Sequence, residues 1–156
     1  MITESNKTRK VIVFQVEHEE FAVSVEHVGG IERMMHITRV PQTAFFVKGV
    51  INLRGVVTPI IDLRSRFGME AIEYDNETRI IIVAEGDKEV GLIVDRANDV
   101  IDIPEDAVEA APDVIGSVKI DYIEGVVKID DRLLILLDLK QVLSAEKIHG
   151  NDVKGL

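Results

Sequence analysis

The residues able to carry chemistry are few and scattered. Four histidines, His18, His27, His36 and His149, fall in turn-like segments or near the end of the chain. None stands at an HxxxH, HxH or HExxH spacing, which would set two imidazoles on one face toward a metal. His18-Glu19-Glu20 groups an imidazole with two carboxylates, but at a hairpin tip where no outer partners orient them. Ser24, Ser65 and Ser117 lack the GxSxG context of a nucleophile elbow, and no glycine-rich turn opens a helix as a phosphate cradle would. The chain has no cysteine, so thiolate metal sites, disulfides and cysteine nucleophiles are excluded. Asp130-Asp131 and Glu105-Asp106 read as turn and loop residues rather than an acid-base pair. The expectation is a protein with no catalytic activity, no metal and no cofactor, working through its surfaces.

Charge is the informative property. The net charge of -10 argues against nucleic acid or an anionic membrane as a general partner, since both select for phosphate-neutralising cations. Beneath that total, residues 33–66 carry Arg33, Arg39, Lys48, Arg54, Arg64 and Arg66 against the single acid Asp62, while residues 95–131 carry eleven acids against Arg96, Lys119 and Lys128. Opposed patches of this kind orient partners more than they create affinity. Arg54 stands apart from the rest. In Asn52-Leu53-Arg54-Gly55 a strand reaches its turn, and an arginine at the tip offers a planar fork of donors to carboxylates or carbonyls of a partner. The start, MITESNKTRK, is polar, and no apolar run approaches the ~18 residues of a membrane-spanning helix. A cytoplasmic protein is expected.

The elements that must position these groups are mostly strands. There are 22 Val and 20 Ile against 10 Leu and 9 Ala, and β-branched side chains suit a pleated surface better than a helix. VIVFQV at 11–16 and FAVSV at 21–25 flank a polar turn and read as a hairpin. The pattern returns 69 residues later in IIIVA, the turn EGDK with Gly86, and EVGLIVD. GVINLRGVVTPIIDLRSRF at 49–67 likewise matches GVVKIDDRLLILLDLKQVL at 125–143, offset by 76. The order of blocks is the same in both halves, so the chain reads as an internal duplication of two small five-stranded barrels sharing an apolar seam. The fold class expected is all-β with short helices, the first barrel mainly 10–76 and the second mainly 78–145. Asp62 and Asp138 are expected as N-caps where a strand turns into a helix, the last helix running over about 139–147. Pro59 is expected to confine its strand to an edge or a bulge. Residues 1–9 and 148–156 are expected to be loose tails.

The strings VIVFQVEHEEFAVSVEHVGGIERM, RVPQTAFFVKGVINLRGVVTPIIDLRSRFG and TRIIIVAEGDKEVGLIVDRANDVIDI resemble the CheW family of bacterial chemotaxis coupling proteins, over about residues 10–145. The stretch GVINLRG-x3-P-x2-DLR carries most of the specificity. The resemblance implies two SH3-like barrels and a non-catalytic adaptor that bridges the cytoplasmic tips of transmembrane chemoreceptors to the regulatory domain of the histidine kinase CheA. It further implies packing with other CheW copies in rings beneath membrane-associated receptor arrays. Carried over by position, the receptor contact falls on Val28, Ile31, Asn52, Leu53, Arg54 and Gly55, and the kinase contact on Glu89, Val90, Gly91 and Leu92. A short helix expected ahead of Ile31 is weakened here by Gly29-Gly30, at roughly 1 kcal/mol per glycine. Two alternatives stand beside this reading: a coupling module of a CheV-type or kinase-associated protein, and a small enzyme with a carboxylate site.

Overall fold

In a computed structural model the described residues are 7–112, 114–115 and 118–144. The strands are β1 (Thr8–Val16), β2 (Glu19–Ser24), β3 (Val28–Arg33), β4 (Val47–Leu53), β5 (Val56–Asp62), β6 (Arg79–Glu85), β7 (Lys88–Val94), β8 (Arg96–Pro104), β9 (Val114–Ile115), β10 (Val118–Lys119), β11 (Ile123–Ile129) and β12 (Arg132–Leu137). Two single-turn helices, α1 (Leu63–Arg66) and α2 (Leu139–Val142), follow β5 and β12. The expected abundance of strand is met by two five-stranded sheets, ordered β11-β12-β2-β1-β8 and β3-β6-β7-β5-β4. Strands β9 and β10 form a separate two-stranded sheet.

The duplication is visible bond by bond. In each sheet two hairpins meet through one parallel pairing, β5 with β7 and β12 with β2. Ile60 lies opposite Gly91, and their counterparts at offsets of 76 and 69, Leu136 and Ala22, lie opposite each other. Gly49 and Gly125 stand where a crossing segment bridges the strand, Thr38 to Val50 in one copy and Glu109 to Val126 in the other. Asp62 and Asp138 both cap a helix: the Asp62 carboxylate accepts from the Arg64 amide at 2.9 Å and that of Asp138 from the Gln141 amide at 3.2 Å. Their own amides bond to Phe46 and Tyr122 carbonyls, each at 2.9 Å.

Three expectations need correction. The sheets do not divide the chain at residues 76–78: strands β3–β7, contiguous from 28 to 94, build one sheet, while β1 and β2 join β8, β11 and β12 in the other. Each hairpin pairs with the other copy's block, because the two copies present the same alternation and parallel register to it. The N-terminal tail also ends earlier than residue 9. Thr8 and Arg9 pair with Pro104 and Ile103, and the Arg9 guanidinium holds Glu105 and Glu124 through four bonds of 3.0–3.1 Å. Pro59 is not on an edge strand. It faces Val50 of β4, and the pairing of β5 with β7 begins only at Ile60, so no ladder bond asks for the missing N–H. Of the last helix, Leu139–Val142 is described; the expected continuation to 147 and the tail from 148 lie outside the described residues.

The core explains why the strands read as apolar runs. Side chains on one face of each sheet fill its own small cluster, Val11, Val13, Ala22 and Leu136 in one, Ile60, Ile80, Ile82 and Ile93 in the other. The opposite faces, with Ile12, Phe14, Phe21, Ile61, Ile81, Val83 and Leu92, meet in a shared seam. Phe14, Phe21, Phe67 and Tyr122 stack across that seam with centroid spacings of 5.5–5.9 Å. Arg66, 7% exposed, lies over the Phe46 and Tyr122 rings at 4.2 and 5.1 Å and donates to the Val142 carbonyl at 3.1 Å. Lys88 donates to the Leu143 carbonyl at 3.2 Å. The end of α2 is thereby held by two cations from the other sheet's unit, completing carbonyls the helix leaves open.

Candidate functional site

The β4–β5 hairpin closes with a two-residue turn at Arg54 and Gly55, whose φ angles of 53° and 87° are those of a type I′ turn. This turn matches the right-handed twist of the flanking strands and needs positive φ at both positions. Gly55 supplies it freely. Arg54 adopts it at a cost of roughly 1–2 kcal/mol. Asn52 Oδ1 accepts from the Gly55 amide at 2.8 Å and fixes the reversal. The twin turn holds Asp130 at φ 55°, a residue whose short polar side chain tolerates the region. A long cation kept there is a backbone outlier at an exposed tip, the class of observation from which function is inferred. The Arg54 side chain is 71% exposed, and its Nη1 lies 3.7 Å from Glu32 Oε2 of β3.

That ion pair joins strands at opposite ends of the sheet order. Sheet curvature thus brings β3, with Val28 half-buried and Ile31 42% exposed, to the same neighbourhood as the Arg54 tip. Asn52 and Gly55 are exposed, Leu53 is half-buried, and Val56 and Val57 beyond the turn are exposed apolar residues the sequence reading passed over. Their signal was present, since Val-Val following a hairpin turn in an outward register has no core to enter. The helix expected before Ile31 is a 3-10 turn, Val25–His27, and Gly29-Gly30 are strand residues: the pairing of β3 with β6 shifts register between Val28 and Gly30.

The second predicted contact is distributed differently. Glu89 is exposed, but Val90, Gly91 and Leu92 are buried in the central strand β7, flanked by β6 and β5. Gly91 has a packing reason: a Cβ there would stand 2.6 Å from Ile60 Cδ1 and 2.7 Å from Ile80 Cγ2. Val90 reaches only the floor of an apolar groove of about 370 Å³ lined by Val40, Thr43, Val47, Val50 and Pro59. The Glu89 carboxylate comes within 3.8 Å of where a Gly29 Cβ would stand, so the two predicted contact sets share one sheet and approach each other at Gly29.

The basic patch read from sequence is smaller than its composition. Arg64 is committed internally, to Asp95 at 2.7 Å and to Glu17 at 3.8 Å; hydrogen bonding to Asp95 raises its pKa above the arginine range, and it carries no free charge outward. Arg66 is buried, and desolvation lowers its pKa. Arg33, Arg39 and Arg54 remain exposed, with Lys48 half-buried. Tyr74 donates to Asp62 Oδ2 at 2.6 Å, ties the 68–78 connector to the α1 cap, and has its pKa raised by burial and by that carboxylate.

The largest cleft, about 500 Å³, is polar, and includes Arg9, His27, Glu85, Glu105, Glu124 and Asp138 in its lining. Its charged groups are committed to one another: Arg9 to both Glu105 and Glu124, and Asp138 to the α2 amide. Hydrogen bonding to Arg9 holds the Glu105 carboxyl below the usual range. Such groups stabilise the fold and leave no poised acid or base. Among the described residues, no group of three or more His, Cys, Asp and Glu side chains is placed to hold a metal ion, and no helix is long and apolar enough to cross a membrane.

Comparison with known proteins bears on what such surfaces serve. The family model described as the CheW-like domain matches residues 10–147. Chemotaxis protein CheW of Bacillus subtilis is 47% identical over 146 residues, covering 94% of both chains, and that of Klebsiella aerogenes is 34% identical over 140 residues, covering 90% of this chain and 84% of the relative. The crystal structure of the scaffolding protein TtCheW from Thermoanaerobacter tengcongensis superposes with a TM-score of 0.83 at 33% identity, covering 90% of this chain and 96% of that one. Two duplicated sheets, an exposed arginine turn and internally committed carboxylates thus coincide with these likenesses, and the chain belongs to the CheW family of non-catalytic chemotaxis adaptor proteins.

Proposed function

We propose that this adaptor couples the cytoplasmic signalling tips of chemoreceptors to the regulatory domain of the CheA kinase, working in the cytoplasm and recruited to membrane-associated arrays, where further CheW copies join it in rings. The observation that carries the reading is the Arg54 tip: a cation held at positive φ, exposed, braced by Asn52 and bordered by Ile31, Leu53, Val56 and Val57. A receptor segment presenting a carboxylate beside apolar side chains fits that chemistry. The kinase contact is assigned to Glu89 and to the apolar groove floored by Val90, rather than to the side-chain positions of Gly91 and Leu92, which the core occupies.

Arg54→Glu tests the assignment. The substitution reverses an exposed charge on a chain already at -10, and an exposed change of this kind alters stability by less than about 0.5 kcal/mol. Co-sedimentation with receptor signalling fragments should be abolished, while kinase binding and melting temperature stay near those of the parent. Retention of receptor binding, or equal loss of both partners in a folded variant, removes the two-surface reading.

A further inference from the structure

The pairing at the Arg54 tip carries one step more, resting on the receptor-contact reading above. Glu32 belongs to edge strand β3, yet its side chain is only 23% exposed, because the carboxylate folds back along its own strand over Gly30. A Cβ at Gly30 would stand 3.3 Å from Glu32 Oε2, so it is the absence of a side chain at Gly30 that leaves room for this posture. From there Oε2 lies 3.7 Å from Arg54 Nη1, within ion-pair range but beyond a hydrogen bond. Among the described residues Arg54 makes no hydrogen bond through its guanidinium, which leaves its donor fork available.

We propose that Glu32 is a specificity-determining residue of the partner site: an internal carboxylate that partly neutralises Arg54 and so weakens the grip of that arginine on an acidic side chain of the partner. The geometry distinguishes this from a structural salt bridge. A structural partner would engage the fork through hydrogen bonds and hold it still, as Asp95 does for Arg64 at 2.7 and 3.0 Å. Glu32 instead approaches one nitrogen from the side, opposing the local positive potential without occupying the donors. The gap over Gly30 keeps that acid half-buried beside the tip instead of in bulk water, where its influence would be screened. Attraction between partly exposed charges at this separation is modest, and removing it translates into a change of about threefold in affinity.

The test uses the full chain and a receptor signalling fragment, with calorimetric titration of the parent, Glu32→Gln, Arg54→Gln and the double variant at low and high salt. Glu32→Gln should bind about threefold more tightly at low salt, the gain should shrink at high salt, and it should vanish in the Arg54→Gln background. In the free protein, the Arg54 Nε–H resonance should shift on Glu32→Gln. An unmoved resonance shows that the two side chains do not interact and overturns the proposal regardless of receptor binding. Unchanged or weaker affinity for Glu32→Gln, or the same gain without Arg54, also overturns it. If the resonance shifts but Arg54→Gln binds the fragment as the parent does, the receptor reading of the tip is what fails, and the proposal falls with it.

Discussion

Gly91 offers the sharpest test of packing against partner contact. It lies opposite Ile60 and Ile82, and a methyl there would meet Ile60 Cδ1 at 2.6 Å and Ile80 Cγ2 at 2.7 Å, about 1 Å inside ordinary contact. The duplicated copy shows how the space is shared: in place of Ile80, Ile82 and Gly91 it has Val11, Val13 and Ala22. Two smaller residues there accompany one larger. Gly91→Ala alone breaks that balance, and overpacking of a well-filled core costs about 1–3 kcal/mol, partly offset by the ~0.5 kcal/mol that alanine recovers in the unfolded chain. A net loss of about 1–2 kcal/mol lowers the melting temperature by about 2–8 °C for a chain of this size. Ile60→Val removes the nearest methyl, so Gly91→Ala with Ile60→Val should lose less than the sum of the single variants, by about 0.5–1 kcal/mol. Gly91→Asp buries an unpaired carboxylate and should leave little folded protein. The assay is thermal and urea unfolding beside capture of the kinase regulatory domain. If Gly91→Ala melts within 1 °C of the parent and still loses kinase binding, the packing argument is wrong and Gly91 is a direct contact.

Two further outcomes follow from particular contacts. Gly49 has φ 143°, and a Cβ would stand 2.1 Å from the Thr38 carbonyl oxygen, a backbone atom that no rotamer change can move; Gly49→Ala should cost more than about 4 kcal/mol, whereas Gly125→Ala, at 2.8 Å from the Glu109 carbonyl and without positive φ, should cost clearly less in the same unfolding assay. Hydrogen bonding to Arg132 holds the Glu20 carboxyl below the usual range. The folded value lies below the unfolded one, so the stabilisation is present above about pH 4.5 and is lost as pH falls through the folded value; Glu20→Gln should flatten the acid limb of a stability-against-pH curve, and an unchanged limb refutes the linkage.

The features legible in the sequence were those fixed by neighbours along the chain. Hairpins announced themselves by alternation and turn residues, Gly86 took the positive φ its turn demands, and Asp62 and Asp138 capped helices that begin one residue later. What escaped was information held between distant residues. Nothing local tells β2 to pair with β12 rather than β5, because the duplicated blocks carry the same pattern. Polar Thr8 and Arg9 look like tail until Glu105 and Glu124, more than ninety residues away, are seen to hold Arg9. Val90–Leu92 read as an accessible hairpin because one face of β7 was assumed to be wet; with a core on one side and the seam on the other, neither is. Arg64 and Arg66 were read as surface charge for the same reason.

The exchange of hairpins has a consequence for the adaptor role. Had each half folded by itself, the Arg54 tip and Glu89 would sit in different sheets, joined only by packing across the seam. Strands β3–β7 instead form one hydrogen-bonded sheet that contains every residue assigned to either partner. On the proposed reading, a receptor at β3 and the Arg54 tip and a kinase at Glu89 hold the same ladder of backbone bonds, with the Glu89 carboxylate beside Gly29 as the closest approach between them. The other sheet contributes no assigned contact; its α2 end is gripped by Arg66 and Lys88, and its Phe14 and Phe21 stack toward Phe67. Its part is to stiffen the sheet that does the joining. Rigidity is what an adaptor between two partners requires, since a compliant link would absorb in side-chain motion the small displacements it has to pass on.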